Sequence, residues 1–330
     1  MMSSLLMLFV VLLTSIVDCG SRRRSKSYRS RYGKYGYDRW DKCPNIKGFF
    51  SYDPKSPCGP QHWHKKYPNC GGDTQSPIDI QTDKTRCGED DGYERVYYKP
   101  SGKSKGIFEN NGHAPNFKVK KGDHSNILIL GDDERNDDDG TRYVFKGLHF
   151  HIGKRRSSYG SEHTVNKKGY KGEIHLVHNR EKAKRTNTGD DDKENGHEKK
   201  YLVVGVFFDV FDDCGSYADK LISKYVTKIP EYLDETKRAE VRPILMLPED
   251  GKYYYYVGSK TTPGCYPGFL WIIFKTPTTV CKKNYKVLKD LETWEAGNPP
   301  LSKFGNNRPI QRYAVDDVKM NFGKRCRGTK

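Results

Sequence analysis

The stretch Gly147–His178, GLHFHIGKRRSSYGSEHTVNKKGYKGEIHLVH, decides how this chain is read. His149 and His151 stand two apart in an apolar segment. Side chains alternate faces along a strand, so both imidazoles are expected on the same face. A second strand-like run, EIHLVH, supplies His175, with Glu173 two residues before it on that face. Three imidazoles from two neighbouring strands, with a fourth position open, form the ligand set of a catalytic zinc rather than a structural one. Glu173 is spaced to accept the outer N–H of His175, the contact that fixes a ligand's tautomer. A lone His-x-His is as often polar strand surface; the second histidine-bearing strand tips the reading to a metal.

The rest of the composition sets bounds. A chain of 330 residues has room for one domain of ~250 residues plus extras. Its formal net charge of +17 bears on partners and solubility, not on fold. A basic chain invites a nucleic-acid reading, and the N-terminus argues against it. Residues 1–19 contain the uncharged run LLMLFVVLL followed by small and polar residues. That pattern fits a secretory signal peptide and is too short for a comfortable membrane span. The expected product is secreted and extracellular, with no nucleic-acid partner and no membrane span. Nine cysteines suit that compartment. Without Cys19, eight remain, and sequence alone leaves 105 connectivities for eight.

Residues 20–42 form a basic arm rich in Arg and Tyr, with too few aliphatics for a core. It reads either as a solvated tail or as a tether for acidic matrix polymers or a carbonate mineral surface. The domain is placed at 43–322, with a charged insertion at 179–200 and a basic tail at 323–330. Asp132–Gly140, DDERNDDDG, is an acidic loop; it reads as a solvated turn or, with several oxygens close together, as a calcium site. Ile127–Leu130 reads as a strand, Tyr201–Val210 as a buried central strand, and Cys214–Lys228 as an amphipathic helix with Leu221, Ile222 and Tyr225 inward. The four tyrosines 253–256 read as strand packing.

HFH, GSEHTVN and EIHLVH, in this order, closely resemble the α-class carbonic anhydrases, and the resemblance extends over about Gly48 to Phe322. GPQHWH and QSPIDI resemble that family's opening, where the bond here between Ser76 and Pro77 is cis. The resemblance implies a mainly β fold with short peripheral helices around a central, twisted, mostly antiparallel sheet of about ten strands. It implies Zn2+ as cofactor on His149, His151 and His175, and reversible hydration of CO2 to bicarbonate and a proton. It makes His113, in ENNGHAPNF, the proton shuttle, expected to be exposed and to titrate near neutral pH. GSKTTP resembles the substrate loop, with Thr261 donating its hydrogen to Glu162 so that it can accept the nucleophile's proton, and Thr262 beside it. By position Val177, Val203 and Trp271 form the apolar wall. The carbonyl of Asn306 is expected to receive the outer N–H of His151. Cys70 and Cys265 stand where secreted members form a disulfide that braces the threonine loop.

Four departures from the family pattern stand out. Gly147 replaces a glutamine that hydrogen-bonds the first zinc histidine, Lys260 replaces a leucine at the mouth of the apolar pocket, Gly264 replaces a second proline, and Ile152 replaces a common tryptophan. None removes a catalytic group. The segment GFFSYDPKSPC and the charge-studded design also resemble the nacrein-type carbonic anhydrases of shell matrix, which points to carbonate supply for biomineralisation. The alternative is a weakly active or inactive relative that binds acidic matrix or mineral.

Overall fold

The computed structural model describes Cys43, residues 49–88, 95–131, 141–181, 200–295, 297–312, 317–323 and Cys326. Residues 1–42, which hold the expected signal peptide and basic arm, the acidic loop 132–140 and residues 182–199 of the charged insertion lie outside the described residues.

Fourteen strands occur among the described residues. They are β1 (Asp79–Ile80), β2 (Arg86–Cys87), β3 (Val96–Ser101), β4 (Ser104–Asn110), β5 (Pro115–Val119), β6 (Asn126–Leu130) and β7 (Thr141–Ile152). There follow β8 (Thr164–Val165), β9 (Gly172–Arg180), β10 (Tyr201–Phe211), β11 (Ala239–Val241), β12 (Tyr253–Ser259), β13 (Pro267–Cys281) and β14 (Lys319–Met320). Twelve of them build one sheet in the order β11-β4-β5-β7-β9-β10-β13-β12-β14-β2, with β3 and β6 packed alongside through β7. The expected count of about ten corresponds to the main path; the β3–β6 pair extends it. Pairing in this sheet is antiparallel except for β10 with β13 and β14 with β2, and β1 pairs in parallel with β8 in a separate two-stranded sheet. Among the described residues three short α-helices accompany the sheet: α1 (Trp63–Lys66), α2 (Tyr217–Lys224) and α3 (Lys282–Asp290).

The sheet is two-faced, and the period of two in its strands decides what each face holds. Leu148, Phe150 and Ile152 of β7, Ile174 and Leu176 of β9, and Val204 and Val206 of β10 point into the main apolar core. Their alternates point the other way, where Val203, Phe207, Trp271 and Ile273 form a second, smaller core. His149 and His151 of β7 and His175 of β9 belong to this second face, whereas His178 of β9 turns to the main core, where it meets Tyr98 Oη at 2.7 Å and packs on Phe145. Helix α2 covers the main core through Leu221 and Ile222, with Tyr225 just beyond its end, as its amphipathic pattern predicts. Ser216 caps the helix by accepting a hydrogen bond from Asp219 N at 3.0 Å.

Ser76–Pro77 is cis; Lys99–Pro100 is cis as well, which nothing in the sequence had indicated, and no cis bond occurs at Gly264. Four disulfides join Cys43–Cys58, Cys70–Cys265, Cys87–Cys326 and Cys214–Cys281. The second is the pair that the family resemblance implied; the other three close pairings that spacing had left open. No helix among the described residues is long and apolar enough to cross a membrane.

Candidate metal centre and substrate pocket

Register brings the histidines together. His149 lies directly across the ladder from His175, and His151 across from Glu173. Ring centroids are 4.9 Å apart for His149 and His151, 5.2 Å for His149 and His175, and 4.4 Å for His151 and His175. One nitrogen from each ring lies within 4.8 Å of the others.

The outer nitrogens of two rings are already committed. His151 Nδ1 donates to the carbonyl of Asn306 at 2.7 Å, and His175 Nε2 donates to Glu173 Oε1 at 2.9 Å. His151 Nε2 and His175 Nδ1 are therefore the nitrogens that offer lone pairs. His151 Nε2 is buried and has no hydrogen-bond partner. An unpaired buried polar atom is costly, and a metal ion among the three rings removes that cost. Burial, followed by the neighbouring rings, pushes the His149 imidazole well below its ordinary pKa; burial likewise lowers His151. Both are held neutral, the form that ligates metal. The residues fit a zinc ion.

Glu173 is the hub beneath this cluster. Its Oε2 accepts from the backbone N–H of Glu162 and of His163, and its Oε1 accepts from His163 Nδ1 and His175 Nε2. Burial alone would raise its pKa, yet the adjacent His163 and His175 and their hydrogen bonds hold it well below the usual carboxylate range. Gly205 on β10 makes room for it: a Cβ there would meet Glu173 Oε1 at 2.7 Å. The chain of contacts continues outward. His163 Nε2 meets Tyr256 Oη at 2.7 Å, and Tyr256 Oη meets Ser76 Oγ at 2.7 Å. Ser76 and Ser259 then exchange backbone-to-hydroxyl bonds.

His163, Tyr256, Ser76 and Ser259 were missed by sequence reading. His163 was visible in GSEHTVN, but nothing local to it names its partners. The four tyrosines pack as expected, Tyr253 and Tyr255 in the main core and Tyr254 and Tyr256 in the second; Tyr256 in addition places its hydroxyl in this network. Arg308 was also missed. Its guanidinium donates to Gln75 Oε1, the Ser76 carbonyl and the Cys70 carbonyl, tying the closing segment to the opening one.

The three wall residues line up in a single row. Val177 pairs with Val203, and Val203 pairs with Trp271, across β9, β10 and β13. Trp271 packs edge-on against His175 at 4.8 Å between centroids. The row is therefore an apolar strip beside the imidazoles.

The loops over the site differ from expectation in two respects. Glu162 turns its carboxylate toward the rings: Oε1 accepts from Arg308 N at 2.8 Å and lies 3.6 Å from His151 Nδ1, and Oε2 lies 3.8 Å from His175 Nδ1. Oε2 has no hydrogen-bond partner, so the expected bond from buried Thr261 is not made in this structure. Thr262, half-buried, accepts Cys265 N through its carbonyl at 3.0 Å. His113, second, is not a free surface imidazole. Phe50 stacks on it at 3.9 Å with planes 10° apart, and Trp294 stands edge-on at 4.4 Å. Although the residue is only half-buried, this burial among rings lowers its pKa to about 3. Tyr52 joins the same aromatic cluster, edge-on to Trp63 at 5.6 Å.

Gly147 has a steric explanation. Strand β5 approaches so closely that a Cβ at 147 would lie 2.2 Å from the carbonyl oxygen of Phe117. On the other side of β7, the ladder with β9 shifts register between Phe145 and Gly147. A glutamine cannot stand there unless β5 moves.

Comparison with known proteins agrees with this geometry. The family described as eukaryotic-type carbonic anhydrase matches residues 58–322. Carbonic anhydrase 7 of Mus musculus is 29% identical over 273 residues, covering 80% of this chain and 94% of that protein. Carbonic anhydrase 3 of Sus scrofa is 30% identical over 264 residues, covering 80% and 95% respectively. With the histidine cluster, its hydrogen-bonded supports and the apolar row already in place, these matches settle the classification: the chain belongs to the eukaryotic-type carbonic anhydrase family.

Proposed function

We propose that this protein is a zinc-dependent enzyme that hydrates CO2 reversibly to bicarbonate and a proton. The observation that carries the reading is the buried, unpartnered His151 Nε2 within a cluster whose other ligand nitrogens face it. His149, His151 and His175 would hold the ion. When bound, zinc supplies Lewis acidity that makes water a nucleophile at neutral pH. Glu173 and Asn306 fix the tautomers of His175 and His151, so the rings need no reorientation to bind. Val177, Val203 and Trp271 exclude water from one side and suit an apolar, uncharged substrate. Glu162 Oε2 is the buried acceptor left open beside the rings. We assign it, with Thr261, to holding the nucleophile's proton so that a lone pair faces the carbon, and Thr262 to the substrate's edge. The clamp of Phe50 and Trp294 on His113, with the pKa that burial lowers to about 3, argues against the proton-carrying role in this arrangement.

An extracellular location belongs to the same proposal and is supported by four disulfides, a density that suits an oxidising compartment. Adhesion to acidic matrix or carbonate mineral rests on the arm and acidic loop. Deleting residues 21–41 is expected to abolish that binding without changing turnover; unchanged binding removes the adhesive reading and with it the argument for biomineralisation. The enzyme itself is tested by stopped-flow CO2 hydration on purified protein with its zinc quantified, beside His151→Ala. Zinc near one per chain with turnover, both lost in the variant, is expected. Bound zinc without turnover would favour the inactive relative.

A further inference from the structure

The segment between β7 and β9, GKRRSSYGSEHTVNKKGYK (153–171), carries six cations: Lys154, Arg155, Arg156, Lys167, Lys168 and Lys171. All six are exposed. Its one carboxylate, Glu162, is buried and turned toward the metal-centre rings, so it pairs with none of them. Asp79 and Asp209 touch the segment but accept backbone N–H groups, Asp79 Oδ1 from Lys167 at 2.7 Å and Asp209 Oδ1 from Lys171 at 3.4 Å. Among the described residues no carboxylate forms an ion pair with any of the six cations.

Two tight turns present these charges. Ser157 N–H donates to the Lys154 carbonyl at 2.9 Å, with Arg156 at φ +69°. Val165 and Lys168 exchange backbone bonds of 2.9 Å each around Asn166 at φ +49° and Lys167 at φ +64°. Glycine is the usual occupant of such backbone; at Arg156 and Lys167 a long cation stands there instead. A common base fixes both turns. Gly160 and Ser161 N–H groups donate to the Tyr170 carbonyl, and Lys171 Nζ donates to the Ser158 carbonyl at 3.2 Å. Arg155 N–H donates to the Ser302 carbonyl, and Tyr285 Oη of α3 donates to the Lys171 carbonyl at 3.4 Å. The aromatic rings of the ribbon turn inward: Tyr170 stacks on Phe207 at 4.3 Å, and Tyr159 fills the space beside Gly169, where a Cβ would meet its ring at 2.3 Å.

We propose that the ribbon 154–171 is a seat for a linear sulfated polysaccharide. Cations strung along a braced ribbon suit an anion repeated along a polymer, and the forks of Arg155 and Arg156 match sulfate oxygens two at a time. Nucleic acid fits less well, because single-stranded bases need exposed rings to stack on and the ribbon offers none. The seat needs no zinc, and it is separate from the arm at residues 21–41. It rests on the extracellular reading above only for the source of the polymer.

The test titrates labelled heparin into the full chain at stepped salt concentrations. Each exposed contact is worth about two- to fivefold. Lys154→Gln with Arg155→Gln and Arg156→Gln is therefore expected to weaken binding by about tenfold or more, and Lys167→Gln with Lys168→Gln by about fivefold or more. Lys105→Gln with Lys120→Gln and Lys237→Gln removes as much charge from exposed positions around β4, β5 and β11; it is expected to change affinity by less than about twofold, and deleting residues 21–41 is expected to leave the ribbon's share intact. Equal losses in the ribbon and control triples would reduce the effect to net charge and overturn the proposal. So would binding that vanishes with the arm while the ribbon variants bind normally, or duplex DNA of matched charge bound more tightly than heparin. Hydrogen exchange on wild type gives a reading that no variant's folding can confuse: heparin is expected to protect the backbone amides of 154–171, and their unchanged exchange overturns the seat. Ribbon-dependent binding by a chain that cells retain would uphold the seat and remove the extracellular reading.

Discussion

The ground beneath the histidines and the loops above them are built to different standards. Below, on β7 and β9, the supports of the ligand rings are paired: the outer nitrogens of His151 and His175 and both oxygens of Glu173 all have partners. Glu173 accepts four hydrogen bonds, and the chain from His175 through Glu173 and His163 to Tyr256 and Ser76 runs without a break. Above, Glu162 Oε2 has no partner, Thr261 makes no bond to it, and His113 is wedged between Phe50 and Trp294. Sheet register sets the first region, since neighbouring strands can meet in few ways. The second is made of loops drawn from distant parts of the chain and held by a disulfide. The difference locates the protein's investment: ligand orientation is fixed in advance, while substrate handling depends on loops whose polar groups are not yet all paired.

That contrast can be broken or sharpened by substitution. The largest expected effect concerns the loops. Replacing both members of the Cys70–Cys265 bridge, as Cys70→Ser with Cys265→Ser, removes a link between residues 195 apart in sequence. The expected cost is about 2–4 kcal/mol of stability, read from denaturant midpoints; a loss below a few tenths would show that Arg308, which also ties these segments together, suffices. Next comes the ground beneath. Glu173→Gln removes the carboxylate that orients His175, and zinc affinity, measured by chelator competition, is expected to fall by about 10–100-fold. An unchanged affinity would mean that the tautomers are not preset.

Gly147→Gln probes one of the two places on β7, with Ile152, where the ground departs from family pattern. The added Cβ meets Phe117 O at 2.2 Å, so the account predicts a loss of about 1–3 kcal/mol rather than a rescued hydrogen bond to His149. Higher stability with tighter zinc would contradict it. The smallest effect belongs to His113. His113→Ala is expected to change CO2 hydration by less than about twofold in weak buffer, well under the usual worth of a proton-transfer group. Its consequence for stability has a definite sign. The folded-state value of about 3 lies below the ordinary 6.5, so the unfolded chain binds more protons between those values. Stability is then lost as pH falls from about 6.5 toward 3, and buried His178, also lowered to about 3, adds to the same trend. Acid titration of His113→Ala should show a shallower loss; an identical profile would show that His113 is not strained by protonation.

What could be read from the chain divides along the same line. The positions of His149, His151, Glu173 and His175 were legible because strand geometry is local: two residues apart means one face. The row Val177, Val203 and Trp271 was legible only through family resemblance, since those residues come from three strands whose order no local pattern states. His163 and Tyr256 were not legible as partners, being 93 residues apart in sequence. The environment of His113 was hidden for the same reason: its clamp comes from Phe50 and Trp294, far to either side. Cys43–Cys58, Cys87–Cys326 and Cys214–Cys281 depend on which loops the sheet brings together, information that spacing does not hold.

The central claim, that the ligand nitrogens are chosen before any metal arrives, is tested most directly by diffraction at the zinc absorption edge on zinc-loaded crystals. The account predicts one anomalous peak among His149, His151 and His175, bonded to His151 through Nε2 and to His175 through Nδ1, with Asn306 and Glu173 still on the outer nitrogens. A peak elsewhere, or ligation through His151 Nδ1 or His175 Nε2, would contradict it.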